Sequence, residues 1–224
     1  MKDFLVVANW KANPQPWEIS EEFPVTVDIA GGYIDLLKIK DQRSKIKNIT
    51  QNLKLFIASQ NISKYSNGPY TGEVTAEMIK GLADYCLIGH SERRRLFAET
   101  NEEINEKIKR CREVRITPIV FARNEGDLEG LEGLEGKEGG LLCYEPEEGI
   151  SKNGIFQPVN YEAIKQTLNK WQQKYNGKLL YGGSVNPDNM EKIRKTCGEL
   201  LSGIVVGQAS LNKDSFISII NKCH

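Results

Sequence analysis

A handful of short stretches carry residues suited to moving a proton beside an anion. Glu145 stands where the apolar run Leu141-Leu142-Cys143-Tyr144 stops at Pro146. Gly139-Gly140 before the run and Pro146 after it mark a short buried strand, with Glu145 where strand gives way to loop. His90 occupies a similar place after Tyr85-Cys86-Leu87-Ile88 and Gly89, and Asn9 and Lys11 flank Trp10 after the run Phe4 to Ala8. Gly182-Gly183-Ser184 follows Leu179-Leu180-Tyr181, and Gly207-Gln208 follows Gly203-Ile204-Val205-Val206. Singly, each has a bland explanation: a solvated strand-end carboxylate, a satisfied core histidine, a surface lysine, a tight turn. At Ser184 the backbone N–H matters for binding, while the hydroxyl reads as a cap. Together they supply a base, an imidazole, a cation and two glycine-rich turns able to aim N–H groups at a phosphate. That set suits proton transfer next to the carbonyl of a phosphorylated sugar. Neither a Walker motif nor G-x-G-x-x-G is present, so a nucleotide reading has no support.

For these residues to meet, the strands that carry them must end on one side of one sheet. The sequence reads as eight strands: Phe4–Ala8, Val25–Ile29 (interrupted by Asp28), Leu53–Ala58, Tyr85–Ile88, Thr117–Phe121, the run before Glu145, Leu179–Tyr181 and Gly203–Val206. Helical patterns fall between them at Tyr33 to Asn52, Glu73 to Gly81, Asn101 to Glu113, Tyr161 to Tyr175, Asp188 to Cys197 and Ser215 to Lys222. In the first of these, Leu36, Leu37, Ile39, Ile46 and Ile49 share one side. Pro14 to Phe23 is only weakly patterned, and the three Leu-Glu-Gly units before Gly139 read as a glycine-weakened helix or loop. Near-continuous apolar strands alternating with helices predict a parallel sheet covered on both faces, and this rhythm is that of a (β/α)8 barrel. Such barrels place their sites at the C-terminal ends of the strands. No linker divides the chain, so residues 1–224 are expected to form one domain.

Composition narrows the partners. Thirty basic and thirty acidic residues cancel, so no broad field invites nucleic acid or an anionic membrane. No apolar run reaches membrane-spanning length, and the apolar start is too short for a signal peptide. Five cysteines without a C-x-x-C pair predict free buried thiols in a reducing cytoplasm. The sequons at Asn48 and Asn61 then carry no weight. With His90 and His224 the only histidines, a histidine-based metal site is not expected.

Read in order, the motifs resemble those of the triosephosphate isomerase family from end to end. Asn9-Trp10-Lys11, Gly89-His90-Ser91-Glu92-Arg93-Arg94 and Tyr144-Glu145-Pro146 match its first-strand, histidine and base motifs. Tyr181-Gly182-Gly183-Ser184-Val185 and Val206-Gly207-Gln208-Ala209-Ser210-Leu211 match its phosphate loops. Gln60-Asn61-Ile62-Ser63 with Tyr70-Thr71-Gly72-Glu73-Val74 match its dimer loop. The resemblance implies a TIM barrel that interconverts dihydroxyacetone phosphate and D-glyceraldehyde 3-phosphate with no cofactor and no metal. Glu145 would shuttle the proton, and His90 would polarise the carbonyl while held neutral by the helix that starts at Ser91. Lys11 would balance charge, Asn9 would donate a hydrogen bond beside it, and Glu92 would support Lys11. Gly182, Gly183, Ser184, Gly207 and Gln208 would hold the phosphate. The resemblance also implies a homodimer through the loop Ser63–Glu73. Two alternatives stand beside it. One is a non-catalytic barrel that binds a phosphorylated metabolite, which intact Asn9, Lys11, His90 and Glu145 argue against. The other is a ribulose-phosphate epimerase, whose metal-binding histidines this chain lacks.

The sequence departs from the family pattern in places. Phe121-Ala122-Arg123-Asn124 replaces the usual Cys-x-Gly-Glu, Gln208 stands where a second glycine is usual, and the first and fifth helical connections are shortened. The fifth is shorter than in bacterial or eukaryotic members and closer to archaeal ones. The lid, Pro146 to Gly154, keeps Ile150 but has Ser151-Lys152-Asn153 for Gly-Thr-Gly, and Glu147-Glu148 for an apolar hinge. Ser151 would then supply the N–H that the family takes from glycine. The expected result is a lid that closes yet holds the phosphate less tightly.

Overall fold

Runs of Val, Ile and Leu that are too short for helices and bounded by turn residues become strands here. The computed structural model describes residues 4–20, 23–47, 54–132, 134, 140–147 and 160–223. Its strands are β1 (Leu5–Asn9), β2 (Thr26–Gly31), β3 (Leu55–Ser59), β4 (Tyr85–Ile88), β5 (Thr117–Ala122), β6 (Leu141–Tyr144), β7 (Lys178–Tyr181) and β8 (Gly203–Val206). All neighbours are parallel and pair in chain order, and β8 returns to β1, closing the expected (β/α)8 barrel.

Strand alternation sorts the apolar residues into two layers. Leu5, Val7, Ala30, Leu87, Ile119 and Leu180 are among those that fill the barrel, while Val6, Ile29, Ile57, Ile88 and Val206 face the helices. Asp28 does not interrupt β2 as expected. The strand runs through it, in register with Val7 and Phe56, and its carboxyl is fully buried.

The helices form where apolar residues recur on one face and a cap starts the turn. α4 (Asn101–Glu113) begins with a capping box between Thr100 and Glu103 and buries Ile104, Ile108 and Cys111. α5 (Tyr161–Lys174) is capped by Asn160 and buries Ile164, Leu168 and Trp171. α7 (Lys213–Asn221), capped by Asn212, buries Phe216, Ile219 and Ile220. Each such aliphatic side chain removed from water contributes about 1.5–3 kcal/mol. The pattern from Tyr33 becomes a 3-10 turn, Tyr33–Asp35, followed by α1 (Leu36–Lys47). Leu36, Ile39 and Ile46 are buried as expected, but Leu37 is 66% exposed, because one position past Leu36 rotates the side chain about 100° off the core face. Ile49 lies outside the described residues. The remaining helices are α2 (Ala76–Ile79), α3 (Ser91–Phe97) and α6 (Met190–Cys197).

The first and fifth connections are short, as expected. Among the described residues no helix joins β1 to β2, and a 3-10 turn, Gly126–Leu128, is the helical element between β5 and β6. In place of a first helix, Trp17 packs edge-on against Trp10 and lies beside Phe216. Its indole N–H donates to Ser210 O at 2.9 Å, bracing the chain just after β8.

Candidate active site

The strands deliver the predicted residues to one place. Asn9 at the end of β1, Lys11 just beyond it, His90 after β4 and Glu145 after β6 line one pocket. Gly182 and Ser184 after β7 and Gly207 and Gln208 after β8 complete it, with Val185 and Val205 between them. Gly183 stands in the same turn, between two residues of that wall. Ser151 and the lid from Glu148 to Gly154 lie outside the described residues.

Glu145 is 3% exposed. Its backbone N–H donates to Ala122 O at 2.9 Å, which continues the β5–β6 ladder by one residue and fixes the corner before Pro146. Oε1 lies 3.0 Å from His90 Nε2, and Oε2 accepts the Ser91 N–H at 3.1 Å. Burial by itself raises the pKa of this carboxyl. The Nε2–H hydrogen bond of His90, with the Ser91 bonds, brings it back below the usual carboxylate value. Behind it sits the Cys143 thiol, whose pKa is pushed well up by burial and by the Glu145 charge.

His90 caps α3. Its Nδ1 accepts the Glu92 N–H at 3.2 Å, so that nitrogen carries no proton and the ring's proton sits on Nε2, facing Glu145. The neutral tautomer is therefore set by the helix N-terminus, with Nε2–H aimed into the pocket. The ring lies edge-on to Phe121 at 4.9 Å, which fixes its tilt.

Lys11 has a positive φ of 52°, a backbone state that costs a non-glycine residue roughly 1–3 kcal/mol and persists only under constraint. Two bonds supply the constraint: its N–H to Asn9 Oδ1 at 3.1 Å, and its ammonium to Glu92 Oε1 at 2.7 Å. Glu92 thus supports the cation through its side chain and His90 through its backbone. A Cβ on Gly182 would come 2.9 Å from the buried Cys143 Sγ, so that turn needs glycine for close packing, whereas one on Gly207 would press at 3.3 Å on the flexible end of Lys11.

Several residues that shape the site were not singled out from sequence. Asn189 donates to Ser184 O at 2.8 Å, and Asn186 and Asn189 exchange bonds with each other's backbone, locking the turn after β7. The spacing Asn186-x-x-Asn189 was the available signal. Trp17, Arg123 and Asp127 gave none, because their partners are set by barrel closure or by side-chain reach between loops. What the pocket offers is a hydrogen-bonded carboxylate, an imidazole N–H, an ammonium and glycine turns within one small space.

The triosephosphate isomerase family model matches residues 4–223. A triosephosphate isomerase from Alkaliphilus metalliredigens is 31% identical, covering 99% of this chain and all of the relative. One from Thermus thermophilus is 32% identical over 98% of both chains. In backbone, the chain is similar to the crystal structure of triosephosphate isomerase from Bartonella henselae, with a TM-score of 0.79 over 98% of both chains; at 22% identity that likeness speaks to the fold alone. A match that runs from residue 4 to residue 223, with relatives above 30% identity along the whole length, places this chain in the triosephosphate isomerase family.

Proposed function

We propose that this protein is a triosephosphate isomerase in activity, interconverting dihydroxyacetone phosphate and D-glyceraldehyde 3-phosphate, a step shared by glycolysis and gluconeogenesis. The observation that carries the reading is the Glu145–His90 pair at 3.0 Å, in a pocket that also holds Lys11 and the glycine turns after β7 and β8.

In this reading Glu145 is the base. Its Oε1 now occupies the place on His90 Nε2–H that a substrate carbonyl oxygen takes in the complex. When the carbonyl displaces it, the carboxylate is released toward the adjacent carbon, removes a proton there and returns it to the neighbouring carbon, while the hydroxyl proton passes from one substrate oxygen to the other by way of His90 Nε2. His90 donates its hydrogen bond to the oxygen on which charge develops, remaining neutral in the resting state. Lys11 balances the phosphate and the enediolate, Asn9 holds the Lys11 backbone, and Glu92 and Ser91 support the cation and the resting carboxylate. Backbone N–H groups from Gly182 to Ser184 and at Gly207-Gln208 bind the phosphate, joined by Ser151 from the lid.

The chain acts as one domain and as a homodimer through the loop Ser63–Glu73. Its five buried, unpaired cysteines support a reducing cytoplasm. Among the described residues no helix is long and apolar enough to cross a membrane.

The test is a coupled isomerisation assay on the purified protein and on Glu145→Gln. Removing a general base is expected to lower the rate by about 10²–10⁴-fold or more, with an unchanged circular dichroism spectrum. Activity within a few-fold of the parent would remove Glu145 from its role. No turnover by the parent would favour a phosphometabolite-binding barrel instead.

A further inference from the structure

Behind the pocket wall, a chain of charged side chains joins the segment that carries His90 to the segment that carries Glu145. Arg94, in α3, donates from Nε to Gly89 O at 3.0 Å, the carbonyl just before His90, and from Nη2 to Phe121 O at 3.3 Å. Its Nη1 lies 3.7 Å from Asp127 Oδ1. Asp127 grips Arg123 at both carboxylate oxygens, with Nε to Oδ2 at 2.7 Å and Nη2 to Oδ1 at 2.9 Å, and also accepts the Arg123 backbone N–H at 2.9 Å. Arg123 then reaches across with Nη1 to Glu147 Oε1 at 2.5 Å.

Consecutive residues of one strand end therefore hold both sides of the base. Ala122 O accepts the Glu145 N–H, and Arg123, next in the chain, binds Glu147. Between those two anchors lies Pro146, whose ring fixes φ. With its two sides tied and its middle stiff, the Glu145 corner has little room to turn. The guanidinium that makes the second tie is pre-set by its bidentate carboxylate, so little side-chain freedom is lost on gripping Glu147.

We propose that Arg123 is a positioning residue for the base: braced by Asp127, it tethers Glu147 and so fixes the Glu145-Pro146 corner against the end of β5. The inference rests on the assignment of Glu145 as the base. Arg123 is not among the residues that line the pocket, so its effect is expected on the rate of the proton-transfer step rather than on binding.

The experiment is a double-mutant cycle on the full chain, measuring kcat and KM in the coupled assay, with melting temperature alongside. Because Glu147 is largely exposed, Glu147→Gln is expected to lower kcat only about two- to five-fold, the range of a surface ion pair. Arg123→Gln also strips the buried Asp127 and is expected to lower kcat roughly tenfold. Arg123→Lys, which keeps the charge but not the fork, should recover part of that loss. The double variant should be no slower than Arg123→Gln, with KM little changed by Glu147→Gln. If Arg123→Gln fails to fold, the Glu147→Gln result decides. An active parent whose kcat is unchanged by Glu147→Gln, or losses that multiply in the double variant, would overturn the tether alone. A parent that does not isomerise would overturn the proposed function and the tether with it.

Discussion

Loss of hydration on burial would by itself drive Glu145 toward the neutral acid, which could not take a proton. The donors supplied by His90 and Ser91 outweigh that loss and hold the carboxyl below its usual range. The consequence for pH follows from the sign. A carboxyl with a depressed folded pKa adds stability that is present above its unfolded value and is lost as pH falls through the folded one. In the ligand-free protein, carbon-13 NMR of labelled glutamate carboxyls should show one signal, absent from Glu145→Gln, titrating below the ordinary glutamate value of roughly 4.3. A midpoint above that value would mean that desolvation wins and that the resting base is protonated more readily than the hydrogen bonds imply. Glu145 itself was legible in the sequence, as a carboxylate ending an apolar run. Its partner Ser91 N–H was not, since only barrel closure brings residues 91 and 145 together. The same holds for Arg123 and Glu147, where the sequence shows two charges and says nothing of their meeting.

At the level of elements, the strands were readable because short apolar runs bounded by Gly and Pro have few other ways to fold, and α4 because its cap and its apolar spacing agree. Boundaries slipped by a residue or two where polar residues finish a strand, as at Asn9 and Ser59. Asp28 misled for a physical reason: a charge is not expected to face a barrel interior. Among the described residues neither of its oxygens has a hydrogen-bond partner, and it lies near Asp84, Arg43 and Tyr85. Burial, with Asp84 adding to it, pushes its pKa well up, and Arg43 offsets only part. The folded state therefore favours the neutral carboxyl of Asp28 more than the unfolded chain does. For a group raised in this way, stability falls as pH climbs above the unfolded value near 4, by about 1.4 kcal/mol per unit until the buried carboxyl itself ionises. Asp28→Val removes the group without opening a large cavity. The variant is expected to melt higher than the parent, by at least ~5 °C near pH 7, and the gap should widen from pH 5 to pH 7. A gap that stays flat with pH would show that Asp28 is ionised and paired inside the barrel.

On the scale of the whole molecule, the exposed apolar surface is lopsided. Among the described residues, every large exposed hydrophobic lies between Tyr33 and Phe97, on the connections that follow β2, β3 and β4. Ile34 is 88% exposed and Phe97 66%, joined by Leu37, Met78 and Leu96, whereas the half of the barrel from β5 to β8 shows none. Three consecutive strands place these connections side by side on one flank. The loop Ser63–Glu73 rises from the same flank and is braced rather than loose. The Ser63 N–H donates to Val74 O at 2.8 Å, Thr75 donates to Asn67 Oδ1 at 2.6 Å, and Tyr65 and Tyr70 stack with their centroids 4.1 Å apart. A pre-ordered loop with an aromatic pair, set in an apolar flank, has the build of an interface that needs little ordering on docking. A two-fold arrangement of this flank against itself lets each loop meet the other copy's apolar residues, and a stable dimer of this kind buries about 1,200–2,000 Å2. Sedimentation of the parent over a range of micromolar concentrations is expected to give twice the chain mass. Phe97→Asp with Leu96→Asp, which puts two charges on the flank while leaving the β5–β8 half untouched, should shift it to the single-chain mass with its helical content retained. A parent that is monomeric at every micromolar concentration would refute the dimer, and a dimer indifferent to the double substitution would move the interface off this flank.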